Sequence, residues 1–360
     1  MARPLTVGIL DEHPSWSNRL LAELGQRGVP VEKLDPAAHG FLPADRARRF
    51  AVLVNRVSPS SHTRGHAAAL FFAHAFLAYA EELGIPVINP AAAYRVETSK
   101  AHQALLFERL GLRYPRTAVL NDPARVSKLT EGFRFPVVLK PNVGGSGAGI
   151  VRFDTPEALE EAAGAGTLGF GPDGVALVQE YLEPADGGIV RVEVLGGEYL
   201  YAIKIYREAA ASFNLCPADI CREPAASAAP RPPDDRGLSA AVAREASRTR
   251  AAAADWELCP AEAPRLALRV ERHEPGPAVI DAVRAVTRAA RIDVGGVEYL
   301  VSRADGQVYF YDVNATSNFV TDAPALLGFD PTARFADYIL AVAAGAQPVS
   351  AGVADRRFAA

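Results

Sequence analysis

Between residues 1 and 95 the chain alternates short apolar runs with segments in which apolar side chains recur every three or four positions. Residues 5–10, 29–34, 51–54 and 86–88 read as buried strands. Residues 16–27 and 65–83 read as helices, the first of them stopped at Gly28. Strands separated by helices form a parallel sheet with covered faces. Ligands of such sheets gather at the carboxyl ends of the strands. The loops after Leu10 (Asp11, Glu12, His13) and after Val54 (Asn55, Arg56, Ser58) are therefore candidate substrate contacts. No G-x-G-x-x-G follows the first strand, where Gly8 stands alone, so a dinucleotide-binding reading lacks its main support.

From residue 96 the pattern changes. A helix over 98–110, stopped at Gly111, is followed by strands near 117–120 and 136–140, a glycine-rich turn, and a strand over 149–153. A helix over 156–163 and strands over 176–182, 189–195 and 198–206 complete this stretch. Residues 207–277 read as an insertion, because 224–254 is dense in Ala, Pro, Ser and Arg with little strand pattern. Only 238–253 within it has the spacing of an exposed helix. Order returns with a helix over 278–290 and two strands, 295–302 and 307–313, joined as a hairpin by Ala304-Asp305-Gly306. A helix over 331–344 closes the chain, and no internal repeat is present. The fold class is α/β, passing to α+β in the C-terminal part.

Composition narrows the setting without naming an activity. At 360 residues the chain suits two or three lobes, and 49% hydrophobic content allows each a core. A net charge of −4 offers nucleic acid or an anionic membrane no electrostatic footing as the main partner. The apolar stretch 67–83 carries His74 and ends in Glu81-Glu82, which makes it a buried helix instead of a membrane span. Three cysteines cannot build a disulfide framework, and the N-terminus lacks a signal-peptide core, so a reducing cytoplasm is the expected location. Cys216 and Cys221 stand in C-x₄-C spacing, which is not a familiar zinc pattern even with Cys259 and His273 added. They read as buried thiols or as part of a substrate-facing loop.

Three segments carry chemistry. In the first, a strand delivers Lys140, and four glycines follow within six residues: Gly144, Gly145, Gly147 and Gly149. Glycines let backbone N–H groups approach an anion, and lysine adds a point charge suited to phosphate. No G-K-[ST] follows, so this is not a Walker loop. In the second, Asp312 and Asn314 lie two apart on a strand and share a face, where a hairpin partner can set Glu298 opposite them. Two carboxylates and an amide oxygen form a hard-oxygen set suited to Mg²⁺, with substrate phosphates completing the shell. In the third, Leu177-Val178-Gln179-Glu180-Tyr181-Leu182-Glu183 runs from a buried strand into a polar break that leaves backbone groups free for an adenine edge. Read individually, a flexible hairpin tip, an amphipathic hairpin and a core strand account for each of the three.

In order and spacing, however, the segments together resemble the ATP-grasp superfamily, most closely its RimK-like and glutathione-synthetase-like branch. Val87-Ile88-Asn89-Pro90 with Ser99-Lys100, and Leu112 to Thr117, resemble the entry to that fold. Lys140 with its glycine loop, Gln179 to Leu182, Ile292 to Glu298 and Asp312 to Ala315 resemble its phosphate, adenine and metal segments. The likeness covers residues 86–206 and 278–340. It implies an N-terminal Rossmann-like pre-ATP-grasp domain (1–95) followed by an ATP-grasp fold of two α+β lobes, 96–185 and 186–350, the second carrying the insertion 207–277.

By the same resemblance, Lys100 and Lys140 hold ATP phosphates under the backbone of Gly145, Ser146 and Gly147. Glu180, Tyr181 and Leu182 form the adenine hinge, and Glu183 or Asp186 meets the ribose. Glu298, Asp312 and Asn314 bind Mg²⁺, for which Mn²⁺ can substitute. Arg191, assisted by Lys204, lies beside the transferred phosphate and acyl group. The implied activity is an ATP-dependent carboxylate–amine ligase working through an acyl phosphate on small-molecule acid and amine substrates, in a family where homodimers are common. A small-molecule kinase on the same fold and a nucleotide-binding scaffold without turnover are the alternatives. Two departures bear on specificity. Asp312 replaces the family's usual glutamate, and Asn314-Ala315-Thr316-Ser317-Asn318 replaces its N-A-S-P-G turn.

Overall fold

The computed structural model describes residues 6–145, 147–206 and 268–348. The first unit contains β1 (Val7–Leu10), α1 (Asn18–Gln26), β2 (Val31–Leu34), β3 (Val52–Asn55), α2 (Ala67–Glu82) and β4 (Val87–Ile88). Its strands are parallel in the order β2-β1-β3-β4, with Val7 facing Val31 on one side and Val52 on the other. Every residue of β1 and β3 is buried, as expected of strands covered on both faces. Gly8 is required by packing: a Cβ there would sit 3.0 Å from both Leu53 and Phe50 side-chain carbons.

A short helix that apolar periodicity did not separate from its neighbour, α3 (Ala91–Glu97), leads into α4 (Lys100–Arg109). Ser99 caps α4, its hydroxyl accepting from the His102 N–H at 3.2 Å. The next strands are β5 (Thr117–Leu120), β6 (Val137–Pro141), β7 (Val151–Phe153) and β8 (Ala176–Glu180). They form an antiparallel sheet in the order β5-β8-β6-β7. Short helix α5 (Val126–Leu129) and α6 (Pro156–Gly164) cover it around Leu139, Leu159 and Val178.

The third sheet is antiparallel and runs β11-β10-β9-β12-β13. Its strands are β9 (Gly188–Leu195), β10 (Glu198–Tyr206), β11 (Arg269–His273), β12 (Val294–Val301) and β13 (Val308–Asn314). Helices α7 (Pro277–Ala290), α8 (Ala323–Leu327) and α9 (Pro331–Ala343) accompany it. Strand β11 corrects the sequence reading, which placed 269–273 inside the insertion. It is an edge strand with mostly exposed polar side chains, and so carries almost no apolar alternation to detect. Residues 207–267 of the proposed insertion, with the helix expected over 238–253 and Cys216, Cys221 and Cys259, lie outside the described residues.

Strand β9 shows why this sheet makes a site. Val190, Val192 and Val194 pack with Val283 and Val286 of α7 in one core. Ile189, Arg191 and Glu193 point to the opposite face, toward the parallel sheet. The polar face of this amphipathic strand is therefore covered by another part of the chain instead of by water. Asn89 ties the two units together. Its backbone is left-handed (φ 56°), a conformation asparagine tolerates, and its side chain accepts from the Asp293 N–H at 2.8 Å and donates to the Val294 carbonyl at 2.8 Å. No helix among the described residues is long and apolar enough to cross a membrane.

Candidate active site

Four separate stretches of chain meet at one cleft lined by Lys100, Lys140, Arg191, and Glu298 with Asp312 and Asn314. The first two come together because Asn142, just beyond β6, holds the start of α4. Its carbonyl accepts from the Lys100 N–H at 3.1 Å, and its side-chain oxygen accepts from the Ala101 N–H at 2.9 Å and the Ser99 hydroxyl at 3.1 Å. One asparagine thus sets the helix that carries Lys100 against the strand that carries Lys140.

The remaining four sit in register across the third sheet. Glu298 lies between Arg191 of β9 and Asp312 of β13, a direct partner of each. Asn314 donates its amide nitrogen to Glu298 at 3.4 Å and to Asp312 at 3.3 Å, and its oxygen has no hydrogen bond among the described residues. That places two carboxylates and an amide oxygen side by side, a donor set that fits Mg²⁺. An irregularity in the ladder between Glu298 and Tyr299 turns both Tyr311 and Asp312 toward the cleft, and the Tyr311 hydroxyl donates to Glu298 at 2.9 Å. The hydrophobic pattern carries no sign of this bulge, so spacing alone does not place Tyr311 in the cleft.

The electrostatics follow from burial. Removal from water raises the pKa of Glu298, and the neighbouring Asp312 charge raises it further. Burial also works against the charge on Asp312, but the Lys100 ammonium, which is paired with it, outweighs that and holds its carboxyl below the usual range. Burial, reinforced by the charge on Lys100, pulls Lys140 down to about 7, and Lys140 has no ion-pair partner among the described residues. The Arg191 guanidinium donates to Glu193 at 2.6 Å, Glu298 at 3.2 Å and Ser317 at 3.2 Å. Gly296 makes room for it, since a Cβ there would lie 2.7 Å from Arg191 Nε.

Gly144, Gly145 and Gly147 line the cleft, and Ser146 lies outside the described residues. Gly147 and Gly149 have left-handed backbone (φ 73° and 72°), which explains the glycines at those positions. Gly145 approaches Ser60 of the first unit, bringing the loop across the cleft. Glu180, Tyr181 and Leu182 line the cleft at the end of β8. The Glu180 carboxylate accepts from the Arg134 N–H at 2.9 Å, and the Leu182 N–H has no partner among the described residues.

Three candidates stand apart from the cleft lining. Lys204 is paired with Asp186 close to the Tyr206 ring, and Glu183 is paired with Arg303 at 3.0 Å. The N-terminal loops contribute Ser58 and the unforeseen Trp16. His13 stacks on Trp16 at 4.9 Å, and burial, with the nearby Arg64 charge, lowers its pKa to about 4. Glu12 is engaged by Arg64 and His66. Arg56 donates to the Ser317 carbonyl at 2.7 Å and to Asn318, so the loop after β13 is held from the N-terminal unit. Glu97, Glu193 and Thr316–Phe319 also line the cleft. Thr316 to Asn318 belong to the turn that departs from the resembling family's, whereas nothing in spacing singles out Glu97 and Glu193.

The family model of the RimK-like ATP-grasp domain matches residues 97–215. A probable alpha-L-glutamate ligase 2 of Pseudoalteromonas atlantica is 34% identical over 213 residues, covering 58% of this chain and 69% of that protein. A probable alpha-L-glutamate ligase of Teredinibacter turnerae is 30% identical over 206 residues, with 56% and 67% covered. Among solved structures, the ATP-grasp ligase PsnB complexed with minimal precursor superposes with a TM-score of 0.61 at 17% identity over 94% of this chain and 99% of its own. The D-alanine–D-alanine ligase from Bacillus anthracis gives 0.60 at 15% identity, over 94% and 97%. With a relative 34% identical over more than two thirds of its length and this family model matched, the chain belongs to the RimK-like ATP-grasp family and is a ligase.

Proposed function

We propose that this ligase uses Mg²⁺-ATP to convert a carboxylate into an acyl phosphate and then couples it to an amine, releasing ADP and phosphate. The observation that carries the reading is the convergence of Lys100, Lys140 and Arg191 with Glu298, Asp312 and Asn314 on one cleft. Lys100 and Lys140 bind and orient the triphosphate, and the backbone of Gly145 and Gly147 closes over it. Glu180, Tyr181 and Leu182 receive the adenine. Glu298, Asp312 and Asn314 would hold Mg²⁺, which neutralises phosphate charge when bound. Arg191, fixed by three partners, stabilises negative charge as the carboxylate oxygen attacks the γ-phosphorus and the β–γ bridging bond breaks. The amine nitrogen then attacks the acyl carbon, phosphate departs, and the nitrogen loses a proton. The lid-like glycine loop keeps water from hydrolysing the acyl phosphate.

The substrates belong to the class of amino acids, peptides or related natural-product intermediates. The glutamate ligases among the relatives and the precursor bound to PsnB support that range. Glutamate itself is not assigned, because the turn from Asn314 to Asn318 differs from the family's. Incubation with Mg²⁺-ATP and pooled amino acids and dipeptides should release phosphate and yield a new mass. Lys140→Ala and Asp312→Ala should each abolish ADP formation while circular dichroism shows an intact fold. Full activity in either variant would overturn the site. Phosphate appearing on a hydroxyl acceptor would replace the ligase reading with a kinase.

A further inference from the structure

Glu193 occupies a position that the phosphate and metal machinery does not explain. It lies two residues beyond Arg191 on β9, on the same face, and so about 7 Å farther along the strand. Its strand neighbour on β12 is Gly296, just as Arg191 neighbours Glu298. Across the third sheet Asp312, Glu298 and Arg191 stand in register, and Glu193 lies one step farther along the same face of β9. The reaction has three participants to place: nucleotide phosphates, acyl group, incoming amine.

Glu193 is only 1% exposed and lines the cleft. Its Oε1 is fully engaged, accepting from Arg191 Nε at 2.6 Å and the Ser317 hydroxyl at 2.8 Å. Its Oε2 is buried and has no hydrogen-bond partner among the described residues. A buried carboxylate oxygen left without a donor is costly, so such an atom is expected to meet a cationic donor in the working complex. Arg191 does not fill that need, because it is shared with Glu298.

We infer that Glu193 is the residue that recognises the amine substrate, its free Oε2 accepting a hydrogen bond and then, before attack, one proton from the substrate's ammonium group beside the acyl phosphate. This rests on the ligase reading above. Ser317 holds the carboxylate in place and belongs to the stretch that departs from the family's turn, which connects that departure to the choice of amine.

The test separates amine recognition from acyl-phosphate formation by using hydroxylamine, a nucleophile that is uncharged at pH 8. The wild-type ligase, given Mg²⁺-ATP and pooled amino acids and dipeptides, should form an amide, and with hydroxylamine added it should also form a hydroxamate. Glu193→Gln should lower amide formation at least tenfold more than it lowers hydroxamate formation, through a higher KM for the amine. Glu193→Asp should recover part of the amide activity. If Glu193→Gln loses both products equally, the residue serves only to hold Arg191, and the inference fails. It fails equally if amide formation survives. A wild-type protein that makes neither product overturns the ligase reading instead.

Discussion

Lys140 shows how much chemistry a single buried side chain can hold in reserve. A strand interior took its ammonium out of water, and Lys100 repels it, so its pKa stands at about 7 before any ligand arrives. Phosphate favours the charged form and must raise that value. Above pH 7 the free protein has largely released this proton, and binding takes it up again. Calorimetry of nucleotide binding at pH 8, in two buffers of different ionisation heat, should show uptake approaching one proton, falling toward none at pH 6. Heat independent of the buffer at pH 8 would refute the assignment. Gly296 acts by lacking a side chain. Gly296→Ala puts a Cβ 2.7 Å from a guanidinium pinned by Glu193, Glu298 and Ser317, which cannot retreat without breaking those bonds. Turnover should fall by about 10²–10³-fold, the scale of losing one charge-stabilising donor. Nucleotide affinity should change little, as measured by equilibrium titration.

At the scale of elements, the site depends on short polar ties between segments that the hydrophobic effect only brings near. Asn142 joins β6 to α4, and Asn89 joins the end of the parallel sheet to β12. Asn89 is wholly buried, and its removal takes away the acceptor of the Asp293 N–H and a donor to the Val294 carbonyl. Asn89→Ala should lower unfolding free energy by about 2–3 kcal/mol, from the usual cost of buried groups left unpaired. The urea midpoint checks this, and an unchanged midpoint would show that the two units do not need the tie. The ladder irregularity opposite Glu298 has the same character: one displaced residue in β13 adds Tyr311 to the site.

At the scale of the molecule, helix α4 and two of the sheets deliver opposite charges to one cleft. Glu298 and Asp312 are adjacent strand partners, and Glu298 is pushed upward by burial and by its neighbour's charge. Removing divalent metal with EDTA should stop ADP formation, and Mg²⁺ should restore it. Protons and metal compete for Glu298, whose free-state pKa is raised. The Mg²⁺ concentration giving half-maximal rate should therefore rise as pH falls through that raised value. A requirement for Mg²⁺ that stays constant from pH 8 to pH 5 would remove Glu298 from the metal site.

Much of this was legible in the chain alone. Alternation in Ile189 to Val194, the helical spacing before Gly28 and Gly111, and the two-residue step from Asp312 to Asn314 each follow from local geometry, which a sequence carries directly. So did Lys140 and its glycines, because a backbone that must turn left-handed leaves a mark in residue type. Other features were decided only by tertiary structure. Glu97 and Glu193 look like ordinary polar positions until another part of the chain covers them, and Trp16 reaches the cleft only because the parallel sheet docks there. Lys204 and Asp186 satisfy each other, and Arg269–His273 becomes a strand by pairing with β10 despite its polar sequence. Local pattern sets which faces are apolar and where the backbone turns. Which charge stands opposite which depends on contacts between residues far apart in the chain, and only the folded molecule supplies those.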